Sequence, residues 1–225
     1  MISIIIPTLN EEVALPATIT NIFNQAGDYE VIIVDGGSDD DTVVIASKNA
    51  SIKLITAPKG RASQMNAGAA ISNGEWLLFL HADTLLPDNA LLTISSLESE
   101  HAIQAGGFHH QFSGKTLGLR FISWLHNLRC KRTKVFYGDQ AMFVRKDMFK
   151  KLGGFPNKSM LEDLLFGEQL LKATKPLLLN DYVVTDSRKF EKNGTLKGLW
   201  QITLILTFHE LGLGIPAQRF FTAVR

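Results

Sequence analysis

Short apolar runs alternate with helix-period segments along the first hundred residues. Ser3 to Pro7 is apolar and β-branched and stops at a proline, which predicts a buried strand followed by a loop. Asn10 to Gln25 carries Val13, Leu15, Ile19, Ile22 and Phe23 at roughly helical spacing. Asn10, Glu11 and Glu12 make a plausible start for that helix, because a polar cap and early carboxylates satisfy a helix N-terminus. Further strands are predicted at Glu30 to Val34, Ile52 to Ala57 and Trp76 to Leu80. Helices are predicted between and after them at Thr42 to Asn49, Ala62 to Ile71 and Pro87 to Leu97.

That alternation predicts an α/β fold with a mostly parallel, doubly wound sheet and helices on both faces. Ligands of such sheets bind beyond the carboxyl ends of the strands. Three strand ends carry polar clusters, Thr8-Leu9-Asn10, Asp35 to Asp41 and His81-Ala82-Asp83, so they are expected to share one crevice.

The second half is less regular. Ala105 to Phe112 and Gln140 to Val144 read as strands, with another near Val183. Helices are expected at Leu117 to Leu128, Lys146 to Leu152, Glu162 to Ala173 and Leu196 to Leu211. His109-His110 lacks the spacing of a helical zinc pair and reads as a strand pair with one face out. With no linker or repeat, the 225 residues are expected to form a single domain. Its expected parts are a nucleotide-binding half (1–100), an acceptor-side half (101–190) and a helical tail (191–225).

Composition narrows the class. Hydrophobic residues make up 45% and charged residues 20%, as in an ordinary soluble globular protein. A net charge of +1 argues against nucleic-acid binding by bulk charge. Cys130 is the lone cysteine, so no intrachain disulfide can form, which suits a reducing compartment. The opening MISIIIPTLNEE has no basic n-region, long apolar stretch or cleavage site, so it does not read as a signal peptide. A cytoplasmic location is therefore expected.

The polar clusters suggest chemistry, each with a plainer alternative. Asp35 could accept a hydrogen bond from a ligand N–H such as uracil N3, or cap the next helix. Asp39 and Asp41 read as turn and cap residues. Asp83 could hold Mg²⁺ or Mn²⁺ against a diphosphate, or cap the loop before Pro87. Glu162-Asp163 could supply a base for an attacking hydroxyl, or simply place acid at a helix start. Arg61 could hold a phosphate with its guanidinium fork, or be a solvated surface residue. P-loop, dinucleotide GxGxxG and GxSxG motifs are absent.

Together these segments resemble the family 2 glycosyltransferases, over roughly residues 1 to 190. SIIIPTLNEE (Ser3 to Glu12) and VIIVDGGSDDDT, ending at Thr42, look like that family's first two strands and loops. FLHADT (Phe79 to Thr84) stands where the family has its metal-binding DxD, with the first carboxylate replaced by His81. GDQAMFVRKDMFKKLGGF (Gly138 to Phe155) and LED (Leu161 to Asp163) resemble its acceptor segment and catalytic ED pair. RxxQMNxG (Arg61 to Gly68), HADT, GDQ and ED in succession resemble a compact bacterial subgroup named for radical-SAM and selenodomain gene clusters.

The resemblance implies a GT-A-like fold with a C-terminal helical segment. It also implies transfer of a sugar from a nucleoside-diphosphate sugar, with UDP the expected carrier, to an unidentified acceptor hydroxyl. The donor site would then include Pro7, Thr8, Asn10, Glu12, Asp35, Gly36, Ser38, Arg61, Gln64, Asn66, His81 and Ala82. Asp83 would hold Mg²⁺ or Mn²⁺, Gly138, Asp139 and Gln140 would face the acceptor, and Asp163 beside Glu162 would be the base of an inverting step. A nucleotidyltransferase of similar fold and a non-catalytic nucleotide- or sugar-binding module are the competing readings. Gly198 to Phe208 is uncharged and follows Arg188, Lys189, Lys192 and Lys197. Residues 196–213 are expected to pack on the domain, to form a homodimer contact, or to lie peripherally on the inner membrane face.

Overall fold

The structure, a computed structural model, describes residues 1–158 and 161–188. The helix expected at Leu196 to Leu211 and the tail 191–225 lie outside the described residues.

The chain begins as β1 (Ile2–Thr8), α1 (Leu15–Phe23), β2 (Tyr29–Asp35), α2 (Thr42–Ser47) and β3 (Ile52–Thr56). It continues through α3 (Arg61–Ile71), β4 (Trp76–Phe79), β5 (Thr84–Leu85) and α4 (Ala90–Ser96). The second half contains β6 (Ala105–Phe112), α5 (Leu117–Thr133), β7 (Phe143–Arg145), α6 (Lys146–Lys151), α7 (Glu162–Ala173) and β8 (Leu177–Thr185).

One eight-stranded sheet runs in the order β3-β2-β1-β4-β7-β6-β8-β5. Strands β3, β2, β1 and β4 are parallel, as the alternating pattern predicted. The sheet then changes character: β7 is antiparallel to β4 and β6, β8 is parallel to β6, and β5 is antiparallel to β8.

Period-two alternation explains how the parallel strands bury both faces. Ile4, Ile6, Val31, Ile33 and Leu78 point to one core with Leu15 and Ile22 of α1 and Leu91 of α4. Ile5, Ile32, Val34, Leu77 and Phe79 point to the other, with Met65 of α3, Phe149 of α6 and Phe166 of α7. Each such fully buried aliphatic side chain contributes about 1.5–3 kcal/mol. Gly68 lets α3 approach β1: a Cβ there would stand 2.5 Å from Ile5 Cγ2.

Two local expectations shift. Helix α1 starts at Leu15, with Pro16 in its first turn, not at Asn10. Asn10 has φ 55°, outside the helical region, because the loop after β1 is tied to the loop after β2. Strand β7 starts at Phe143, not Gln140, because Gly138–Gln140 forms a 3₁₀ turn and Ala141 turns left-handed at φ 45°. Among the described residues no helix is long and apolar enough to cross a membrane.

Candidate functional site

The carboxyl ends of β1, β2 and β4 bring the first-half polar clusters to one edge of the sheet. Asp35 is almost fully buried there. Its Oδ2 accepts the backbone N–H groups of Gly37 and Ser38 at 2.8 and 2.9 Å, and its Oδ1 accepts the Ser38 hydroxyl at 2.5 Å. Thr8 Oγ1 adds a long contact to Oδ1 at 3.4 Å. Asp35 thus shapes the loop Gly36 to Ser38 first, and any ligand N–H must share its remaining lone pairs.

The loops after β1 and β2 are laced together. Asn10 N donates to Ser38 Oγ at 2.9 Å, and Asn10 Oδ1 accepts from Asp39 N at 2.8 Å. Glu12 N donates to Asp40 Oδ2 at 3.1 Å, and Glu12 Oε2 accepts from Asp41 N at 3.2 Å. Pro7 is buried inside β1. Asn10 and Glu12 therefore hold the rim of the crevice.

Three residues expected at the donor make hydrogen bonds that hold the fold. Gln64 is buried, and its amide donates to both Thr8 O and Val34 O at 2.8 Å, tying the ends of β1 and β2. Asn66 clamps the Phe155 backbone, donating to its carbonyl at 2.8 Å and accepting its N–H at 2.9 Å. Ala82 is buried with its carbonyl accepting the Thr18 hydroxyl at 2.7 Å, so it anchors α1.

His81, Arg61, Asp83, Asp139, Glu162 and Asp163 form the charged heart of the site. Arg61 Nε lies 2.6 Å from the buried Glu162 Oε1. Burial alone would lower the Arg61 pKa, but the Asp163 and Glu162 carboxylates outweigh it and raise the pKa above its ordinary value. Asp163 Oδ2 accepts Gly138 N at 2.7 Å, and its Oδ1 accepts Leu164 N at 2.8 Å in the first turn of α7. Asp163 therefore couples α7 to the Gly138–Gln140 turn. His81 Nε2 is buried and has no hydrogen-bond partner. Burial, followed by the Arg61 charge, lowers the His81 pKa, while Asp83, Asp139 and Asp163 oppose the shift.

The Gly138–Gln140 turn, expected to face the acceptor, is held from inside the fold. Gln140 is fully buried and donates to Phe108 O at 3.0 Å while accepting Tyr137 N at 3.2 Å and Arg129 Nη2 at 3.3 Å. Asp139 faces His126 Nε2 at 3.5 Å and His110 Nε2 at 3.8 Å. Sequence reasoning missed His110, His126 and Arg129. His110 is buried, and His109 Nδ1 contacts Leu179 O at 2.8 Å, so the expected outward face is not open solvent. The doublet at 109–110 was the available signal; nothing in α5 marked His126 as its neighbour.

This cluster carries a pH dependence. Burial holds the His126 pKa at about 4, against an ordinary 6.5, despite the pull of Asp139. Between those values the unfolded chain binds a proton that the folded one refuses, so stability falls as pH drops through that window. The difference corresponds to about 3 kcal/mol. Burial alone would raise Asp139, but His126, His110 and His81 bring it down to about 2 from 3.8, so its contribution is lost at still lower pH. Urea denaturation across pH 7 to 4 is expected to show the loss, and His126→Gln is expected to flatten it. An equally steep profile in that variant would remove His126 as its source.

Among the described residues no three His, Cys, Asp or Glu side chains are grouped to hold a metal ion by themselves. Mg²⁺-type sites do not need such a cage, because the ion keeps waters and uses one or two carboxylates plus substrate phosphates. Asp83 fits that donor set: it is half-buried just beyond β4, and its backbone is pinned by Asp186 N donating to Asp83 O at 2.9 Å.

Comparisons with known proteins agree with this geometry. Residues 3–153 match the family model described as Glycosyl transferase family 2. The PGL/p-HBAD biosynthesis glycosyltransferase of Mycobacterium bovis (strain BCG / Pasteur 1173P2) is 41% identical over 109 residues, covering 45% of this chain and 43% of that protein. Probable glycosyltransferase YdaM of Bacillus subtilis (strain 168) is 30% identical over 186 residues, covering 72% of this chain and 44% of that protein. The matches span under half the length of both relatives. Among solved structures, mannosyltransferase PcManGT from Pyrobaculum calidifontis in complex with GDP-Man and Mn²⁺ superposes with a TM-score of 0.70 at 20% identity, covering 99% of this chain and 67% of that one. S. aureus TarS in complex with UDP-GlcNAc gives 0.67 at 18% identity, covering 91% and 66%. These structural likenesses establish a shared GT-A fold. With the family model matched across two thirds of its length, the chain belongs to glycosyl transferase family 2.

Proposed function

We propose that this protein transfers a sugar from a nucleoside-diphosphate sugar, with UDP as the expected carrier, to an acceptor hydroxyl with inversion at the anomeric carbon. The observation that carries this reading is that the charges of Arg61, Asp83 and Asp163 all act on His81, just beyond β4, beside the laced loops of β1 and β2. The succession of Arg61-to-Gly68, HADT, GDQ and ED motifs supports placement in the compact radical-SAM/selenodomain-associated subgroup.

Thr8, Asp35 and Ser38 line the base side, and Asp35 uses a lone pair left over from its own loop. Asp83 would hold Mg²⁺ or Mn²⁺ when the donor is bound. That ion would supply charge neutralisation for the departing diphosphate. Arg61 adds a fixed positive charge next to the same oxygens, oriented by Glu162. Asp163 takes the proton of the acceptor hydroxyl as the new oxygen–carbon bond forms at the anomeric centre. The bond from that carbon to the phosphate oxygen breaks, and nucleoside diphosphate leaves. Positioning and fixed charges do most of the work.

The test is a thermal-shift panel of UDP, GDP, CDP, ADP and TDP, each with and without Mn²⁺. A ligand that binds only the folded state raises apparent stability by mass action, by about 2.7 kcal/mol at a hundredfold excess over Kd. One diphosphate is expected to give a metal-dependent shift that Asp83→Asn weakens. No shift from any diphosphate would overturn the reading in favour of a module that binds sugar without a nucleotide.

A further inference from the structure

Away from the charged heart, a groove of about 800 Å³ opens between α5 and the ends of β6 and β8. That volume lies in the range of small-molecule sites. Among the described residues its lining includes Lys115, Arg120 and Lys131 and no aspartate or glutamate. None of those three cations makes a salt bridge among the described residues. A wall with three unpaired positive charges and no carboxylate favours an anion.

Two further observations point to a ligand. Ser123 lines the groove, is 7% exposed, and its hydroxyl has no hydrogen-bond partner. His110 also lines it, is 1% exposed, and neither of its ring nitrogens has a hydrogen-bond partner. Buried polar atoms without partners are costly in a finished fold, and a ligand oxygen would satisfy them. The remaining wall mixes polar side chains such as Gln111, Ser113 and Asn127 with the apolar and aromatic Leu119, Trp124 and Leu128. Trp124 lines the groove yet is 56% exposed and stacks on Phe121, with ring centroids 5.9 Å apart. Leu117, one helical turn before Phe121, is 82% exposed. The groove thus offers charge at its rim, unfilled hydrogen-bonding groups within, and an apolar strip alongside.

We propose that this groove binds a phosphate ester carrying an apolar chain or ring. Lys115, Arg120 and Lys131 meet the phosphate, Ser123 and His110 meet its oxygens or those of the linking ester, and Trp124 covers the apolar part. The site does not depend on the transfer reading: its described lining holds none of Arg61, His81, Asp83, Asp139, Glu162 or Asp163, and His110 lies 3.8 Å from Asp139.

The experiment titrates the 225-residue chain with octyl phosphate, octyl glucoside and inorganic phosphate, followed by calorimetry. Octyl phosphate is expected to bind, with both other probes much weaker. In the triple variant K115Q/R120Q/K131Q its affinity is expected to fall roughly tenfold, the combined worth of three exposed charge contacts. Added salt is expected to weaken binding to the native protein and hardly affect the variant. Equal binding of octyl glucoside, or unchanged affinity in the variant, would overturn the proposal. So would inorganic phosphate binding as well as octyl phosphate, since the apolar strip would then be idle. Vesicles containing phosphatidic acid separate the sources: charge-dependent flotation supports a lipid phosphate, and octyl phosphate binding without flotation supports a soluble ester. The nucleotide thermal-shift panel run on the same variant keeps the two ideas apart. A nucleotide response without octyl phosphate binding sinks the groove alone, and the reverse result sinks the transferase reading alone.

Discussion

Asp163→Asn is expected to lower sugar transfer by about 10²–10⁴-fold, the usual contribution of a positioned general base. Donor binding should stay within a few-fold of the native value. The substitution keeps the shape of the side chain but removes its ability to take a proton. It also has a small structural effect that can be stated in advance. Asp163 accepts two backbone N–H groups, from Gly138 and Leu164, one on each oxygen. An amide has one acceptor oxygen, so one of those N–H groups loses its partner, at a cost of about 1 kcal/mol. The expected variant is slightly less stable, shows the same nucleotide shift and has lost turnover. Steady-state kinetics beside the thermal-shift panel resolves these effects. Native turnover in the variant would take Asp163 out of the mechanism.

Gly138→Ala is expected to reduce turnover about a hundredfold, the order of loss that follows a misplacement of about 1 Å. A Cβ at this position would stand 2.4 Å from His81 Nε2 and 3.3 Å from Asp163 Oδ2. Neither neighbour can yield easily. His81 Nε2 is shut off from solvent, and Asp163 is fixed by its two backbone partners. The added methyl group must therefore push the turn away from α7 and move the base. Gly68→Ala, which strikes Ile5 in the core instead, should cost stability without this specific loss of turnover. Comparable turnover losses at the two positions, after correction for folded fraction, would mean that the Gly138 contact has no special role.

Much of the first half could be read from the sequence because its signals are local. The apolar runs at Ile2 to Ile6 and Val31 to Val34 alternate between two cores, and each run ends in the polar loop that faces the crevice. Helix α7 was legible to the residue, since Glu162 and Asp163 mark its first turn. The roles of Gln64 and Asn66 were not. Both are polar residues on a helix of the first half, but their partners are backbone groups of Thr8, Val34 and Phe155, up to 89 positions away. A side chain committed to a distant carbonyl looks the same in sequence as one reserved for a ligand. The meeting of His110 and His126 with Asp139 was illegible for the same reason, because β6, α5 and a 3₁₀ turn supply one residue each. The lacing of Asn10 and Glu12 to the loop at 38–41 explains why α1 starts late.

Strand β7 is three residues long, yet it alone joins β4 to β6 in the sheet. During synthesis, the four parallel strands emerge from the ribosome well before residue 143. Until then Trp76 to Phe79, an entirely apolar strand, forms the open margin of a nascent sheet. Such a margin is a template for pairing with another chain. A stalled or nicked polypeptide ending near residue 100 would hold nearly all of the nucleotide-side loops and still have this adhesive border. Pairing with the short β7 is what covers that border, and it comes late in the chain.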